Sequence, residues 1–342
     1  MKTFVIAAVM GAVGLVGCGG GGSSSGNDST GAATPTVTIT TTNQGSVARA
    51  ILDGGQAVGR SQPFAATVGS AAQSIGSARM SVLQSVVRRG LVAGFGSRHS
   101  ARIASAMRPA NTSSSTDLCG VSGSITTTVS DADDSQSLSN GDTLTLTFDQ
   151  CRDSSDDVVS GGMVFSIGSV TSGLGGDVQF RGSLAFVQLS ASSGARLANI
   201  QGSVGVAAAI SSTSFQIALA VGANALTVTS SAPGYLDTIV YEPGMQLNVT
   251  ASDGAVTQSD VTLNGSFTAS SIGGRVVVAT VVPLRQVGTD AYPSSGQVLV
   301  TGASGTQLRV TALGAASVHL ELDANGDGTY ERSDVFAWDT IG

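Results

Sequence analysis

Side chains able to carry out acid–base or nucleophilic chemistry are scarce in this chain of 342 residues, which has two histidines. His99 and His319 lack the spacing of metal ligands, and neither lies in a serine or cysteine motif. Nucleophilic catalysis needs a nucleophile, a base and a group that orients the base, so we expect neither histidine to be catalytic. Gly22, Ser24 and Gly26 match the G-x-S-x-G pattern of hydrolases, but without the strand before it and the helix after it that the motif needs.

Carboxylates are more plentiful, and two groups of aspartates lie in predicted turns. Acids in turns are usually solvated, so we expect these residues to be exposed. Glycoside hydrolysis needs two carboxylates that are often distant in sequence, so a polymer hydrolase built from aspartates is an alternative function. The two groups are Asp131, Asp133 and Asp134, and Asp153, Asp156 and Asp157.

A denser series of oxygen-bearing side chains lies near the C-terminus, in residues 323–334. Counted from the first residue, oxygens fall at positions 1, 3, 5, 9 and 12, a glycine lies at position 6, and position 7 can add a main-chain carbonyl. This spacing resembles an EF-hand loop, and the resemblance implies calcium as a cofactor. The candidate ligands are Asp323, Asn325, Asp327, Thr329, Glu331 and Asp334.

Two features of this loop depart from the EF-hand pattern. Asp334 is shorter than the usual glutamate at position 12, and the flanking residues 318–322 and 335–338 alternate like strands rather than helices. Asn-Gly and Asp-Gly dipeptides are also strong hairpin signals that need no ion. Two interpretations therefore stay open, a β-hairpin that binds calcium and a plain turn.

The first eighteen residues have the layout of an export signal. Lys2 lies in a short positive region, and residues 3–17 form an apolar stretch, shorter than the ~20 residues that span a bilayer. The stretch ends in Leu-Val-Gly-Cys at residues 15–18, which resembles the lipobox of bacterial lipoproteins. The resemblance implies cleavage before Cys18, attachment of acyl chains such as palmitate to it, and export. Gly19 in place of an aspartate implies transfer to the outer membrane. An ordinary secretory leader is the alternative.

Lipidation of Cys18 leaves Cys119 and Cys151 as the remaining cysteines. They bracket two predicted strands, 121–129 and 143–148, and a hairpin that closes near Ser135 places them opposite one another at its open end. An exported compartment allows a disulfide to persist. We therefore predict a Cys119–Cys151 disulfide, with a pair of buried free thiols as the alternative.

Composition divides the chain into four parts. We predict a signal peptide at 1–17, a flexible Gly/Ser/Thr tether at 18–45, a basic helical segment at 46–110 and an acidic antiparallel β domain at 111–342. Residues 47–108 carry eight arginines and one acid, a net charge of +7. Residues 109–342 carry seven arginines and 21 acids, a net charge of −14.

The basic segment is predicted to be helical over residues 70–92, where Ile75, Ala78, Val82 and Val86 recur at spacings of three and four. Such a helix could lie on a membrane surface with its arginines at the headgroups. The preferred alternative is a helix that packs on the acidic β domain. Nucleic acid is excluded as a partner because the chain is acidic and its arginines lack interleaved aromatic residues.

The remaining sequence indicates a mainly β fold. Gly, Ser, Thr and Val are abundant, and fifteen alternating or β-branched runs follow one another from residue 121 to residue 338. The short connections leave no room for crossover helices, so the sheet is predicted to be antiparallel. So many strands are expected to form a large curled sheet, as a half-barrel, barrel or sandwich, because a flat sheet would expose an apolar face and two long edges.

These features favour a lipid-anchored cell-envelope protein over an enzyme. The preferred function is a non-enzymatic binding or structural module, which shelters a lipid or other hydrophobic ligand or acts in adhesion. The alternative is the aspartate-based hydrolase, which would act on an envelope or extracellular polymer. The expected partners are the membrane, reached through the N-terminal lipid, and a lipid, hydrophobic ligand or envelope polymer.

Overall fold

The structure is a computed structural model that describes residues 34–59, 112–135, 139–152, 157–172, 178–210, 214–252, 258–287, 290 and 292–341. The predicted fold class, a mainly β protein with one large antiparallel sheet, is confirmed. The described residues form one α-helix, sixteen strands and three short 3-10 helices. The elements are α1 (Gln44–Gly59), β1 (Thr112–Leu118), β2 (Ser122–Ser130), β3 (Thr143–Arg152), β4 (Asp157–Ser172), β5 (Val178–Ser193), β6 (Arg196–Ile210), β7 (Ser214–Val221), β8 (Leu226–Ala232), β9 (Tyr235–Tyr241), β10 (Gln246–Ser252), β11 (Gln258–Ala269), β12 (Gly274–Val287), β13 (Ser295–Thr301), β14 (Gln307–Gly314), β15 (Ser317–Asp323) and β16 (Arg332–Ala337), with 3-10 helices at Ser270–Ile272, Ala303–Gly305 and Trp338–Thr340.

Strands β2 to β16 coincide with the fifteen predicted runs, because each run either alternates apolar and polar residues with a period of two or is rich in β-branched residues. In β15, for example, Val318, Leu320 and Leu322 point into the core, and His319 and Glu321 point outward. Strand β1 was not predicted. Its sequence, TSSSTDL, has one apolar residue and shows no alternation, so pairing with β2 determines its conformation.

The sheet runs in chain order from β1 to β7 and continues from β10 to β16. Between β6 and β11 it contains two hydrogen-bonded routes instead of one. The second half of β6 pairs with β7, which pairs with β10 and then with the first half of β11. The first half of β6 pairs with β8, which pairs with β9 and then with the second half of β11. Two antiparallel strand pairs, β7–β10 and the β8–β9 hairpin, therefore lie end to end between the same two long strands.

Glycines lie where β6 and β11 change partners. Gly202 and Gly265 have φ values of +116° and +132°, in the region that favours glycine. A Cβ atom on Gly202 would lie 2.4 Å from the carbonyl oxygen of Ala225, and one on Gly265 would lie 2.7 Å from the Cα of Met245. Both residues open a glycine-serine-apolar triplet, so the change of partner coincides with a sequence feature that recurs along the chain.

Helix α1 packs on the apolar face of the sheet, against β10, β11 and β14. Val47, Ala48 and Ile51 are at most 2% exposed and belong to the same core as the inward side chains of the strands. Their spacing places them on one side of the helix, as expected for a helix packed on a sheet.

The segment before α1 is also part of this unit. The N–H of Thr36 donates to the carbonyl of Arg275 at 3.0 Å, and the N–H of Ile39 donates to Oγ1 of Thr306 at 3.0 Å. Ile39 is fully buried. Residues 34–43 thus belong to the β unit, and the tether predicted to reach residue 45 is too long at its C-terminal end.

Several predictions fall on residues outside the described ranges. These are the signal peptide, Cys18, most of the predicted tether, His99 and the helix at residues 70–92. Within the part of the chain that the structure describes, no helix is long and apolar enough to cross a membrane.

Candidate metal centre

The β15–β16 hairpin brings three of the predicted ligands together. One carboxylate oxygen from each of Asp323, Asp327 and Glu331 lies within 4.8 Å of the other two. The flanking segments are strands, as predicted, so the loop is a hairpin rather than an EF-hand. Three hard anionic oxygens at this separation could hold a metal ion of the kind that prefers oxygen ligands.

Asp323 organises the hairpin loop from its buried end. Its two carboxylate oxygens accept hydrogen bonds from the N–H groups of Gly326 at 2.7 Å and Gly328 at 2.8 Å. The side chain is fully buried, and these two bonds provide the partners that a buried carboxylate needs. Gly326 has φ +79°, and a Cβ atom there would lie 2.6 Å from the carbonyl oxygen of Ser304. Glycine is therefore required where the loop packs on the preceding 3-10 helix.

The two exposed acids of the cluster also accept hydrogen bonds from main-chain N–H groups of the loop. Oδ1 of Asp327 accepts the N–H of Thr329 at 2.7 Å, and Oε2 of Glu331 accepts the N–H of Ala324 at 2.9 Å. Hydrogen bonds from Thr329 and from the Asn325 amide hold the pKa of Asp327 below its ordinary value of 3.8. The carboxylate is therefore anionic, and able to bind a cation, down to a lower pH than a free aspartate.

The remaining predicted ligands have other contacts. Asn325 directs its amide nitrogen at Asp327 Oδ2 (3.1 Å), and its oxygen accepts the N–H of Asp327. Asp334 lies in β16 opposite Leu320 and forms an ion pair with Arg332. It is not a member of the three-carboxylate cluster.

A second acidic cluster lies in the β2–β3 hairpin and consists of Asp131, Asp133 and Asp142. Asp131 and Asp142 are buried, so the expectation of solvated turn acids is wrong for Asp131 and holds for the exposed Asp133 and Asp134. The oxygens of Asp142 accept the N–H groups of Ala132 at 2.8 Å and Ser139 at 2.7 Å.

Asp142 was missed because it stands alone in sequence, after the turn that precedes β3. The Asn-Gly dipeptide before it indicates a turn but not the burial of the next residue.

Hydrogen bonds from the side chains of Ser135 and Ser139 lower the pKa of the exposed Asp133. This cluster too could hold a metal ion. Of the other predicted aspartate group, Asp153 and Asp156 lie outside the described residues.

The predicted disulfide is present between Cys119 and Cys151, whose Cα atoms are 5.5 Å apart. The β2–β3 hairpin closes at the Ser130–Thr143 pair, so the two cysteines lie at its open end, as predicted. Strand β3 has a bulge opposite Gly123, where Gln150 has φ +47°. The next residue, Cys151, is fully buried.

His319 lies on the outer face of the sheet, where sequence reasoning assigned it no role. Its Nε2 is 2.6 Å from Oγ of Ser333, and its Nδ1 is 4.0 Å from Oε2 of Glu321. Nη1 of Arg309 reaches the same Glu321 oxygen at 3.2 Å. The spacing of His319 and Glu321 in a predicted strand indicated that they share a face, but it did not indicate the serine.

No family model, curated protein or solved structure matches this chain. We therefore infer its function from the residues themselves. Their chemistry comprises two carboxylate clusters suited to a divalent cation, one disulfide, and a serine–histidine–glutamate group on the outer face.

Proposed function

We propose that this protein is a lipid-anchored protein of the bacterial cell envelope, attached to the outer membrane through acyl chains on Cys18. The leader that ends in Leu-Val-Gly-Cys carries this proposal. The Cys119–Cys151 disulfide supports it independently, because disulfides persist in oxidising compartments outside the cytoplasm. Several acyl chains hold a protein on a membrane firmly, whereas a single chain holds it weakly.

The β domain of this protein serves as a structural or adhesion module in our proposal. The protein itself buries the inward side chains of the sheet, including those of Leu144, Phe165, Leu308 and Leu320. A lipid or other large hydrophobic ligand would have to displace protein groups from that face, at the expense of packing that already excludes water. This favours a structural or adhesive role over the sheltering of a hydrophobic ligand.

Fractionation of cells that express two variants tests the anchor. The Cys18→Ala precursor should keep its leader uncleaved at the lipoprotein step. A chain that starts at Gly20 behind a plain secretory leader should be soluble in the periplasm. If the second chain still pellets with membranes at high salt without detergent, the protein has another membrane attachment.

Native mass spectrometry of the wild-type protein purified from its own envelope tests the sheltering alternative, which requires a co-purifying lipid.

We also propose that the β15–β16 hairpin binds calcium and that the ion stabilises the fold. The lowered pKa of Asp327 and the proximity of three carboxylates support this assignment. Oxygen ligands suit Ca²⁺, and extracellular modules often bind it with a Kd as weak as ~1 mM. At ten times that concentration, binding only to the folded state would stabilise it by about 1.4 kcal/mol.

Titration calorimetry and thermal melting of the soluble chain test the calcium assignment. Calcium should raise the Tm of the wild type and of Asp334→Asn, a control in which the altered acid lies in the same hairpin but outside the cluster. Asp323→Ala with Asp327→Ala should lose both the binding heat and the rise in Tm. A parallel Asp131→Ala with Asp133→Ala variant assigns any heat that remains to the β2–β3 cluster. Equal heats for the wild type and both double variants would show that these loops are only turns.

A further inference from the structure

The outer face of the last two strands brings a nucleophile, a base and an acid close together. Ser333 on β16 places its Oγ 2.6 Å from Nε2 of His319 on β15. Two residues further along β15, Glu321 lies directly opposite Ser333 in the antiparallel register. Its Oε2 is 4.0 Å from Nδ1 of His319, so the imidazole has the serine on one nitrogen and the carboxylate on the other.

We propose that Ser333 is a nucleophile activated by His319, with Glu321 as the positioning residue, and that this group hydrolyses carboxylic esters. A serine hydroxyl is a weak nucleophile unless an adjacent base accepts its proton, and a third group usually orients that base. The proposal goes beyond the envelope role above and depends on neither calcium nor the lipid anchor.

The surrounding residues hold Glu321 in the required place. Nη1 of Arg309, on the neighbouring strand β14, bonds to Oε2 of Glu321 at 3.2 Å, and the guanidinium group lies 4.0 Å from the centre of the Tyr330 ring. The hydroxyl of Tyr330 in turn donates to Gln307 Oε1 at 3.1 Å. With the proton of the neutral imidazole on Nδ1, Nε2 accepts the hydroxyl proton of Ser333. Nδ1–H then faces Glu321, and this separation is expected to shorten once the imidazolium forms, because catalytic contacts often tighten only in the reacting complex.

The reaction follows from this arrangement in two balanced steps. Oγ of Ser333 bonds to the carbonyl carbon of the ester, its proton passes to Nε2 of His319, and the alkoxide leaves with that proton as the alcohol. Water then attacks the acyl-serine while His319 accepts its proton and returns it to Oγ, which releases the carboxylic acid. The carboxylate of Glu321 stabilises the imidazolium in both steps.

The position of the group restricts the class of substrate. His319 and Glu321 keep about a quarter of their side-chain surface exposed, Ser333 is exposed, and β16 pairs with β15 on one side. General-base assistance contributes about 10²–10⁴-fold to a rate. In so open a site water reduces the electrostatic stabilisation of an oxyanion. Esters with good leaving groups tolerate this, whereas amides do not, so we assign ester hydrolysis rather than proteolysis.

Labelling of the mature chain with a fluorophosphonate, together with hydrolysis of p-nitrophenyl acetate, tests the proposal. The probe forms a covalent bond to an activated serine with loss of fluoride, and peptide mapping locates it. We expect the label at Ser333 and a loss of both reactions in Ser333→Ala. His319→Gln should slow labelling of Ser333 by about 10²-fold or more. The matched control is Ser114→Ala, which removes an exposed strand serine whose hydroxyl contacts Thr128 instead of a histidine and should leave both rates unchanged.

A conservative replacement separates activation of the serine from mere exposure of the serine. Glu321→Gln should slow labelling of Ser333 at an unchanged Tm, because the imidazole loses the carboxylate that faces its Nδ1. Glu321→Asp, which keeps the carboxylate, should recover part of the lost rate. Absence of label at Ser333 in the wild type would overturn the proposal. Equal labelling of Ser333 in the wild type and in His319→Gln, with His319→Gln melting at the wild-type temperature, would also overturn it.

Discussion

The two ends of the sheet contain the same kind of hairpin turn but differ in the interactions that stabilise them. In each terminal region a buried aspartate accepts two main-chain N–H groups, Asp142 in the β2–β3 hairpin and Asp323 in the β15–β16 hairpin. The first region adds the Cys119–Cys151 crosslink, and the second adds ion pairs such as Arg309–Glu321. A covalent bond resists changes of pH and salt that weaken ion pairs, so the two ends should respond differently to solution conditions.

The outer faces of the two ends also differ, in the charge of their side chains. Near β1 the side chains form neutral hydroxyl pairs, Ser114 with Thr128 and Thr116 with Thr126. Near β16 the corresponding surface carries a histidine and paired charges. A hydroxyl beside another hydroxyl has no base to take its proton, whereas Ser333 has one. Chemistry is therefore expected at one edge of the sheet only.

Removal of the crosslink should have the largest effect on the free energy of unfolding. Cys119→Ser with Cys151→Ser opens a loop with a sequence separation of 32 residues. Loss of the loop-closure constraint is expected to reduce the free energy of unfolding by about 4 kcal/mol. Denaturant unfolding of the oxidised protein and the double variant measures the difference. A loss below about 1 kcal/mol would mean that the strands, not the crosslink, secure this end.

The two buried aspartates should be similarly important for stability. Asp142→Ala and Asp323→Ala each leave two N–H groups without their charged acceptor, so we expect each to cost about 2–4 kcal/mol in the presence of a chelator. The exposed Asp134→Asn is the control, because asparagine tolerates the positive φ of this position, and it should change stability by less than about 0.5 kcal/mol. Unequal losses of stability in the two variants would show that Asp142 and Asp323 are not equivalent. If calcium binds as proposed, an excess of it should increase the cost at Asp323.

The glycines of the two hairpins should differ in their tolerance of a side chain. Gly141 and Gly326 both have positive φ, so alanine at either position should cost about 1–2 kcal/mol in backbone strain. A Cβ at Gly141 would meet only Ala132 Cβ at 3.3 Å, whereas at Gly326 it would meet a carbonyl oxygen at 2.6 Å. Gly326→Ala should therefore be the more destabilising by about 1–3 kcal/mol, measured by thermal or denaturant unfolding. Equal losses would show that the loop moves away from Ser304.

Acid should weaken both hairpins slightly. The pKa values of Asp133 and Asp327 are lowered from 3.8 by hydrogen bonds, so each carboxylate stabilises the fold above its unfolded pKa. This contribution is lost as the pH falls below about 4, through the lowered folded-state value. We expect a small reduction in the pH dependence of Tm for Asp133→Asn and for Asp327→Asn. Unchanged acid sensitivity in both variants would contradict the assignment.

Local patterns in the sequence were sufficient to predict most of the sheet. Alternation and β-branched runs located β2 to β16, and the hairpin that they predict places Cys119 and Cys151 at its open end. It failed for β1, whose polar residues have no preferred face, and for residues 34–43, where a Thr-rich stretch was interpreted as tether. In both cases contacts with distant residues outweigh weak local preference.

The sequence by itself determined which residues face inward, because side-chain direction in a strand has a period of two and does not depend on the partner strand. It also determined that Asp323 and Asp327 share one loop. Only the tertiary structure decided that Asp142 is buried and that Ser333 lies against His319. The reason is register: sliding β16 by a single residue would turn Ser333 to the opposite face, and the length and hydrogen bonds of the intervening loop set that register.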